Sequence, residues 1–293
     1  MLNINNLNKL RNPDINQKKK HMSSRVIITA IFFFFILTLN AQTNNTKPYS
    51  IGEIKEINSS ILRENRVLNI YLPVGYNDKE TYPVIYLLDG SANEDFLHVV
   101  GLVQFFNMAF KMPNTIVVGI ANVDRRRDFT FPTNLKDLKK DYPTTGSSAK
   151  FIDFIEQELQ PFIQTNYKTN NTKFIIGQSL GGLLATEILL KKPQLFTNYI
   201  ITSPSLWWDD ESLLKEAPAL LANQNDSIKQ VYISVGTEGK IMEQDAAALV
   251  KSLQSSGKKN LKLDFLTLPK ENHATILHQS VYEALKIIYP YKE

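Results

Sequence analysis

From Ile51 onward the apolar positions switch repeatedly between short strand-like runs and longer helical periodicities. Residues 51–57 and 66–72 mix apolar and polar side chains in the alternation of strands with one wet face. Val84-Ile85-Tyr86-Leu87-Leu88 is continuously apolar, as a strand buried on both faces requires. Runs of similar character lie at 115–120, 173–176, 198–202, 230–235 and 261–266. Helical spacing fills the intervals: 96–110, a segment through Phe151, Phe154, Ile155 and Leu159, then 180–192, 243–254 and 275–288. Pro161 is expected to disturb the second of these near its end, and Pro193 stops the third. Strands alternating with helices predict an α/β fold with a mainly parallel central sheet and helices on both faces. No helix separates the first two strands, so the sheet is expected to begin as an antiparallel meander. Residues 122–149 fit neither pattern and are read as a pocket rim.

The segment before Ile51 follows a different rule. Val26–Leu39 is an apolar run with four consecutive phenylalanines, preceded by Lys18, Lys19, Lys20 and Arg25 and followed by Leu39-Asn40-Ala41. A basic stretch, an apolar stretch and a small residue make a cleavable secretory signal. A run of 14 residues falls short of the roughly 20 that span a bilayer as a helix. The organisation read from the sequence is therefore residues 1–41 as N-terminal extension and signal peptide, 42–50 as linker, and 51–293 as one catalytic domain, with translation starting at Met1 or Met22. The protein is expected to be exported, periplasmic or extracellular, with no stable membrane insertion after cleavage.

That division changes the meaning of the charge. Residues 1–41 hold six of the 33 Lys/Arg and one of the 29 Asp/Glu, which leaves 27 basic and 28 acidic residues, near −1 rather than +4. The basic excess belongs to the leader and gives no reason to expect a nucleic-acid partner. There is no cysteine, which removes disulfides, thiol nucleophiles and thiolate metal sites.

The candidate chemistry centres on Gly177-Gln178-Ser179-Leu180-Gly181, between the strand ending at Ile176 and the helix beginning at Leu180. A serine on such a strand-to-helix turn is lifted out of the sheet at a helix N-terminus. No Lys follows, as a phosphate-binding loop would require. Serine needs a general base, and the chain has four histidines. His21 precedes the signal, His98 precedes the nucleophile on a helix, and His278 lies inside the last helix. His273 sits on the loop after the last strand, in the chain order nucleophile, acid, base of an α/β-hydrolase. The acid belongs after the strand 230–235; Glu238 is the first choice, with Glu243 and Asp245 as alternatives. Oxyanion donors are expected from the backbone of Leu180 and from Ser91, after Asp89-Gly90. Arg125, Trp207 and Trp208 are candidate substrate contacts because each follows a strand on the same rim. No metal and no cofactor is required by this chemistry.

Taken together, Tyr86-Leu87-Leu88-Asp89-Gly90, Asn122-Val123-Asp124-Arg125, Gly177-Gln178-Ser179-Leu180-Gly181-Gly182, Ser203-Pro204-Ser205-Leu206-Trp207-Trp208 and Glu271-Asn272-His273 resemble the putative-esterase (esterase D-like) family of α/β-hydrolases. The resemblance is greatest to its periplasmic siderophore-esterase branch. It implies Ser179 as nucleophile, His273 as base, and Ser91 and Leu180 as oxyanion donors, and it leaves the acid loop Thr237-Glu238-Gly239 loosely matched. The expected activity is a serine carboxylic ester hydrolase working through an acyl-enzyme on a small-molecule ester such as a siderophore trilactone or a carbohydrate or feruloyl ester. An acyltransferase of the same fold and a serine peptidase are the alternatives.

Overall fold

The computed structural model describes residues 47–225 and 230–291. The segment read as extension and signal, 1–41, lies outside the described residues. The compact unit begins at Ile51.

Eight strands form one sheet: β1 (Glu53–Ser59), β2 (Glu64–Tyr71), β3 (Tyr82–Leu87), β4 (Ile116–Ile120), β5 (Thr169–Gln178), β6 (Asn198–Thr202), β7 (Gln230–Gly236) and β8 (Lys262–Leu268). Their spatial order is β1-β2-β4-β3-β5-β6-β7-β8. β2 runs antiparallel to β1 and β4, and every pairing from β4 through β8 is parallel. The predicted meander is therefore the first edge of an otherwise parallel sheet.

Two-residue alternation along each strand sorts the core into two layers. Val84, Tyr86, Leu88, Ile175, Ile201 and Ile233 face one layer, while Ile85, Leu87, Phe174, Ile176, Ile200 and Tyr232 face the other. The first layer is covered by α4 (Ser148–Phe154), α5 (Gln160–Asn166), α6 (Leu180–Lys191), α7 (Trp208–Ala222) and α8 (Lys240–Gln254). The second is covered by α1 (Phe96–Ala109) and α9 (Ile276–Ile288). This is the doubly covered sheet of the α/β-hydrolase fold.

Three details differ from the sequence expectation. Residues 122–149 are not without structure: they hold the short helices α2 (Arg125–Phe129) and α3 (Lys136–Asp141). Pro161 disturbs its helix near the end, as expected, but does not stop it there. A π turn, Ile155–Leu159, widens the helix just before it, and α5 then runs on to Asn166 with proline in its first turn. The helix is continuous from Ser148 to Asn166, and the π turn shifts its hydrogen-bond register just ahead of the proline, whose own nitrogen has no N–H to donate. Finally, α7 has no counterpart among the helices expected from the sequence, and it opens with a left-handed turn: Asp209, Asp210 and Glu211 have φ of 52°, 54° and 58°.

Candidate active site

Parallel strands send all their C-terminal ends to one edge of the sheet, and the loops that leave β3, β5, β6, β7 and β8 meet there. β5 ends at Gln178 and α6 starts at Leu180, so Ser179 alone makes the turn, with φ 61° and ψ −121°. A side chain with positive φ costs about 1–3 kcal/mol unless its surroundings impose it. Here the neighbours impose it. Ser179 N–H donates to Thr202 O at 3.1 Å, and Ser179 O accepts from Ser205 N–H at 3.0 Å. Gly177 allows the helix to return this closely, since a Cβ there would lie 2.4 Å from Gly181 O.

His273 reaches this serine from the β8–α9 loop. Its Nε2 is 3.0 Å from Ser179 Oγ, and its Nδ1 is 2.5 Å from Glu238 Oε2. The imidazole is 47% exposed, while the Glu238 side chain is only 1% exposed. Burial pushes the Glu238 carboxyl up, but three hydrogen bonds outweigh it: from His273, from Ser203 Oγ–H, and from Gly236 N–H at 3.0 Å. The net result holds Glu238 below its ordinary value, charged beside the imidazole. The loops themselves are joined. Gln178 Nε2 donates to His273 O, and Thr237 N–H donates to Glu271 O at 2.8 Å.

Of the three carboxylates weighed from sequence, only Glu238 contacts His273. Glu243 Oε1 instead accepts the backbone N–H groups of Glu238 (3.0 Å) and Gly239 (3.1 Å), bracing the loop at the start of α8. Asp245 is buried, and burial together with nearby Glu211 pushes its carboxyl up to about 6. His98 and His278 face each other from α1 and α9, with Nδ1 atoms 3.4 Å apart.

Leu180 is the first residue of α6, where an N–H has no acceptor within the helix. Ser91 follows Gly90, which is held on both sides: its N–H donates to Ile120 O at 3.0 Å and its carbonyl accepts from Asn69 Nδ2 at 2.8 Å. A Cβ on Gly90 would lie 2.3 Å from Gly119 Cα, so no larger residue fits this backbone.

Two of the residues read as substrate contacts have other occupations. Arg125 is not a free cation on the rim. Its Nε and Nη2 grip Asp89 at 2.7 and 2.9 Å, and Nη2 also donates to Gln178 O at 3.2 Å. Trp208 is fully buried, with its indole N–H donated to Phe131 O at 2.9 Å, so it packs the core and presents no face to a ligand. Trp207 stays half-buried at the rim, 6.3 Å from the Tyr142 ring. The rest of the arginine run is likewise engaged: Arg126 lies over Tyr142, and Arg127 pairs with Glu64 and Asp128.

Ser203 and Ser205 stand in one of the stretches that carry the resemblance but have no role assigned from the sequence, yet both touch the site. Ser203 Oγ–H donates to Glu238, and Ser205 Oγ lies 3.3 Å from Ser179 Oγ. The available signal was position: both follow β6 at the same sheet edge as Ser179. Among the described residues, no group of three or more His, Asp or Glu side chains could hold a metal ion.

The family model described as "Putative esterase" matches residues 59–279. The ferri-bacillibactin esterase BesA of Bacillus subtilis is 29% identical over 271 residues, covering 84% of this chain and 92% of BesA. A siderophore triacetylfusarinine C esterase of Aspergillus fumigatus is 30% identical over 57% of this chain and 60% of its own. Among solved structures, an IroE-like serine hydrolase from Shewanella oneidensis superposes with a TM-score of 0.74 at 29% identity, covering 81% of this chain and 80% of its own. The BES protein of Bacillus cereus gives 0.73 at 28% identity, over 85% and 98%.

Proposed function

We propose that this chain, which belongs to the "Putative esterase" family of α/β-hydrolases, is an exported serine carboxylic ester hydrolase that acts on siderophore-type esters. The observation that carries the reading is the unbroken line Ser179 Oγ to His273 Nε2 (3.0 Å) and His273 Nδ1 to Glu238 Oε2 (2.5 Å).

In this reading His273 takes the proton of Ser179 as the hydroxyl oxygen attacks the ester carbonyl. Glu238, charged and buried, holds the Nδ1–H tautomer and stabilises the imidazolium that forms. The N–H groups of Leu180 and Ser91 receive the oxyanion, each worth about 3–4 kcal/mol of barrier. The imidazolium then protonates the departing alcohol, leaving an acyl group on Ser179 Oγ. Water, deprotonated by His273, releases the acid and restores the serine.

The siderophore assignment rests on relatives whose names specify such esters, the bacillibactin and triacetylfusarinine C esterases. Export rests on the leader pattern of residues 1–41. Three measurements test the reading. A fluorophosphonate should label Ser179, and p-nitrophenyl acetate should turn over; absence of both removes the serine hydrolase. A panel of catecholate-lactone, hydroxamate-ester, feruloyl and acetyl-sugar substrates should favour the first two, and preference for a sugar ester would overturn the siderophore assignment. N-terminal sequencing of protein from an exporting host should begin near Gln42, and an intact leader would overturn export.

A further inference from the structure

The bond pattern of Arg125 links two loops that the proposed mechanism requires to keep a fixed spacing. Asp89 ends the β3 strand region with φ 55°, and its carboxylate is almost enclosed. Oδ1 accepts from Asn122 Nδ2 at 2.6 Å and from Arg125 Nε at 2.7 Å, and Oδ2 accepts from Arg125 Nη2 at 2.9 Å. That side-on fork is the strong, orientation-specific form of the Arg–carboxylate pair. The same Nη2 reaches Gln178 O at 3.2 Å, the carbonyl just before the nucleophile. One guanidinium thus spans the loop leading to Ser91 and the strand end carrying Ser179 and Leu180. Both loops contain a positive-φ residue other than glycine, Asp89 and Ser179, so neither conformation is the backbone's own preference.

We propose that Arg125 is a positioning residue that fixes the two oxyanion donors, the N–H groups of Ser91 and Leu180, relative to one another and neutralises Asp89 beside them. This rests on the hydrolase reading above. Neutralisation matters because Asp89 Oδ2 lies against the first turn of α6, 3.3 Å from where a Gly181 side chain would start. An unpaired carboxylate there would oppose the negative charge that develops on the substrate oxygen. Lysine is not equivalent, since a single ammonium cannot form the side-on fork and also reach Gln178 O.

The test compares Arg125→Lys, Arg125→Met and Arg125→Ala with wild type on p-nitrophenyl acetate. Displacing a donor by about 1 Å costs about 100-fold in rate, so Arg125→Met should lose 10- to 100-fold in kcat with KM within about threefold. Affinity for a phenylboronic acid, which forms a charged tetrahedral adduct on serine, should fall in parallel. The acid limb of the pH profile should stay in place, because His273 and Glu238 are untouched. Millimolar guanidinium should restore part of the Arg125→Ala activity. Arg125→Lys keeps the charge and serves as the comparison if the neutral variants fail to fold; its kcat and boronate affinity should also fall. Wild-type kcat and boronate affinity in Arg125→Lys would overturn the proposal. A rise in KM at unchanged kcat would overturn it too, in favour of substrate binding by Arg125. A wild-type protein that neither turns over ester nor labels at Ser179 would remove the hydrolase reading and this proposal together, whereas an active wild type with an indifferent Arg125 would remove this proposal alone.

Discussion

His273 Nδ1 lies 2.5 Å from Glu238 Oε2, and the carboxylate that makes this contact is almost fully shielded while the ring it holds is half exposed. The rigid member of the pair is therefore the carboxylate, and the imidazole is oriented by it. Glu238→Gln keeps the shape and removes the charge. It should lower kcat by about 10²- to 10⁴-fold, the range for an imidazole left in the wrong tautomer. Glu243→Gln should stay within about tenfold of wild type, because Glu243 braces backbone N–H groups and does not touch His273. Steady-state kinetics of the two variants checks this; a larger loss in the second would reverse the assignment.

Ser203 tunes the same carboxylate. Its Oγ–H is one of three donors that hold Glu238 below its ordinary value of 4.5. Since the folded value is depressed, the stabilisation from this ionisation is present above about 4.5 and is lost as pH falls through the lower folded value. Ser203→Ala removes a donor to a charged group, worth about 1.5–3 kcal/mol. The carboxyl should rise toward 4.5, and acid unfolding should begin at higher pH than in wild type. Circular dichroism along a pH titration reads the shift, and an unmoved midpoint would count against it.

Asp245 has the opposite sign. Its carboxyl is raised from 3.8 to about 6 by burial and by Glu211. Stability from the neutral form is complete below about 3.8 and is lost as pH rises through about 6, because the unfolded chain gains more from ionisation. Asp245→Asn should raise Tm by several degrees at pH 8 and by little at pH 4. Thermal melts at the two pH values decide it, and equal gains would show that the buried charge is not the cause.

The two tryptophans should separate cleanly. Trp208→Ala leaves a cavity and an unpaired Phe131 carbonyl, at about 3–5 kcal/mol. Trp207→Ala should change KM among aromatic and aliphatic esters with little loss of Tm. Melting curves and a two-substrate kinetic comparison test both halves, and a stable Trp208→Ala would refute the packing account.

Much of this arrangement was legible because it depends on local rules. Alternation marks the first two strands and continuous apolar runs mark the six that follow, and the strand-turn-helix context around Ser179 needs only neighbouring residues. The scarcity of histidines singled out His273. What the sequence did not disclose depends on contacts between strand ends far apart in the chain. The choice between Glu238 and Glu243, five residues apart, is made by which side chain faces a loop more than 25 residues later. Arg125 reads as an exposed charge until Asp89, 36 positions earlier, is brought against it. The π turn before Pro161 was hidden because apolar spacing barely changes when a helix widens by one residue.

The left-handed turn Asp209-Asp210-Glu211 has a practical consequence for redesign. Each such residue costs roughly 1–2 kcal/mol relative to a right-handed conformation, so the segment after Trp207 and Trp208 is held under tension by its surroundings. Glycine carries no such penalty, and Asp210 is exposed, its carboxylate paired with Lys215. Asp210→Gly is therefore a site where thermal tolerance can be engineered without touching Ser179, His273 or Glu238, and the margin gained can absorb the cost of later changes around Trp207.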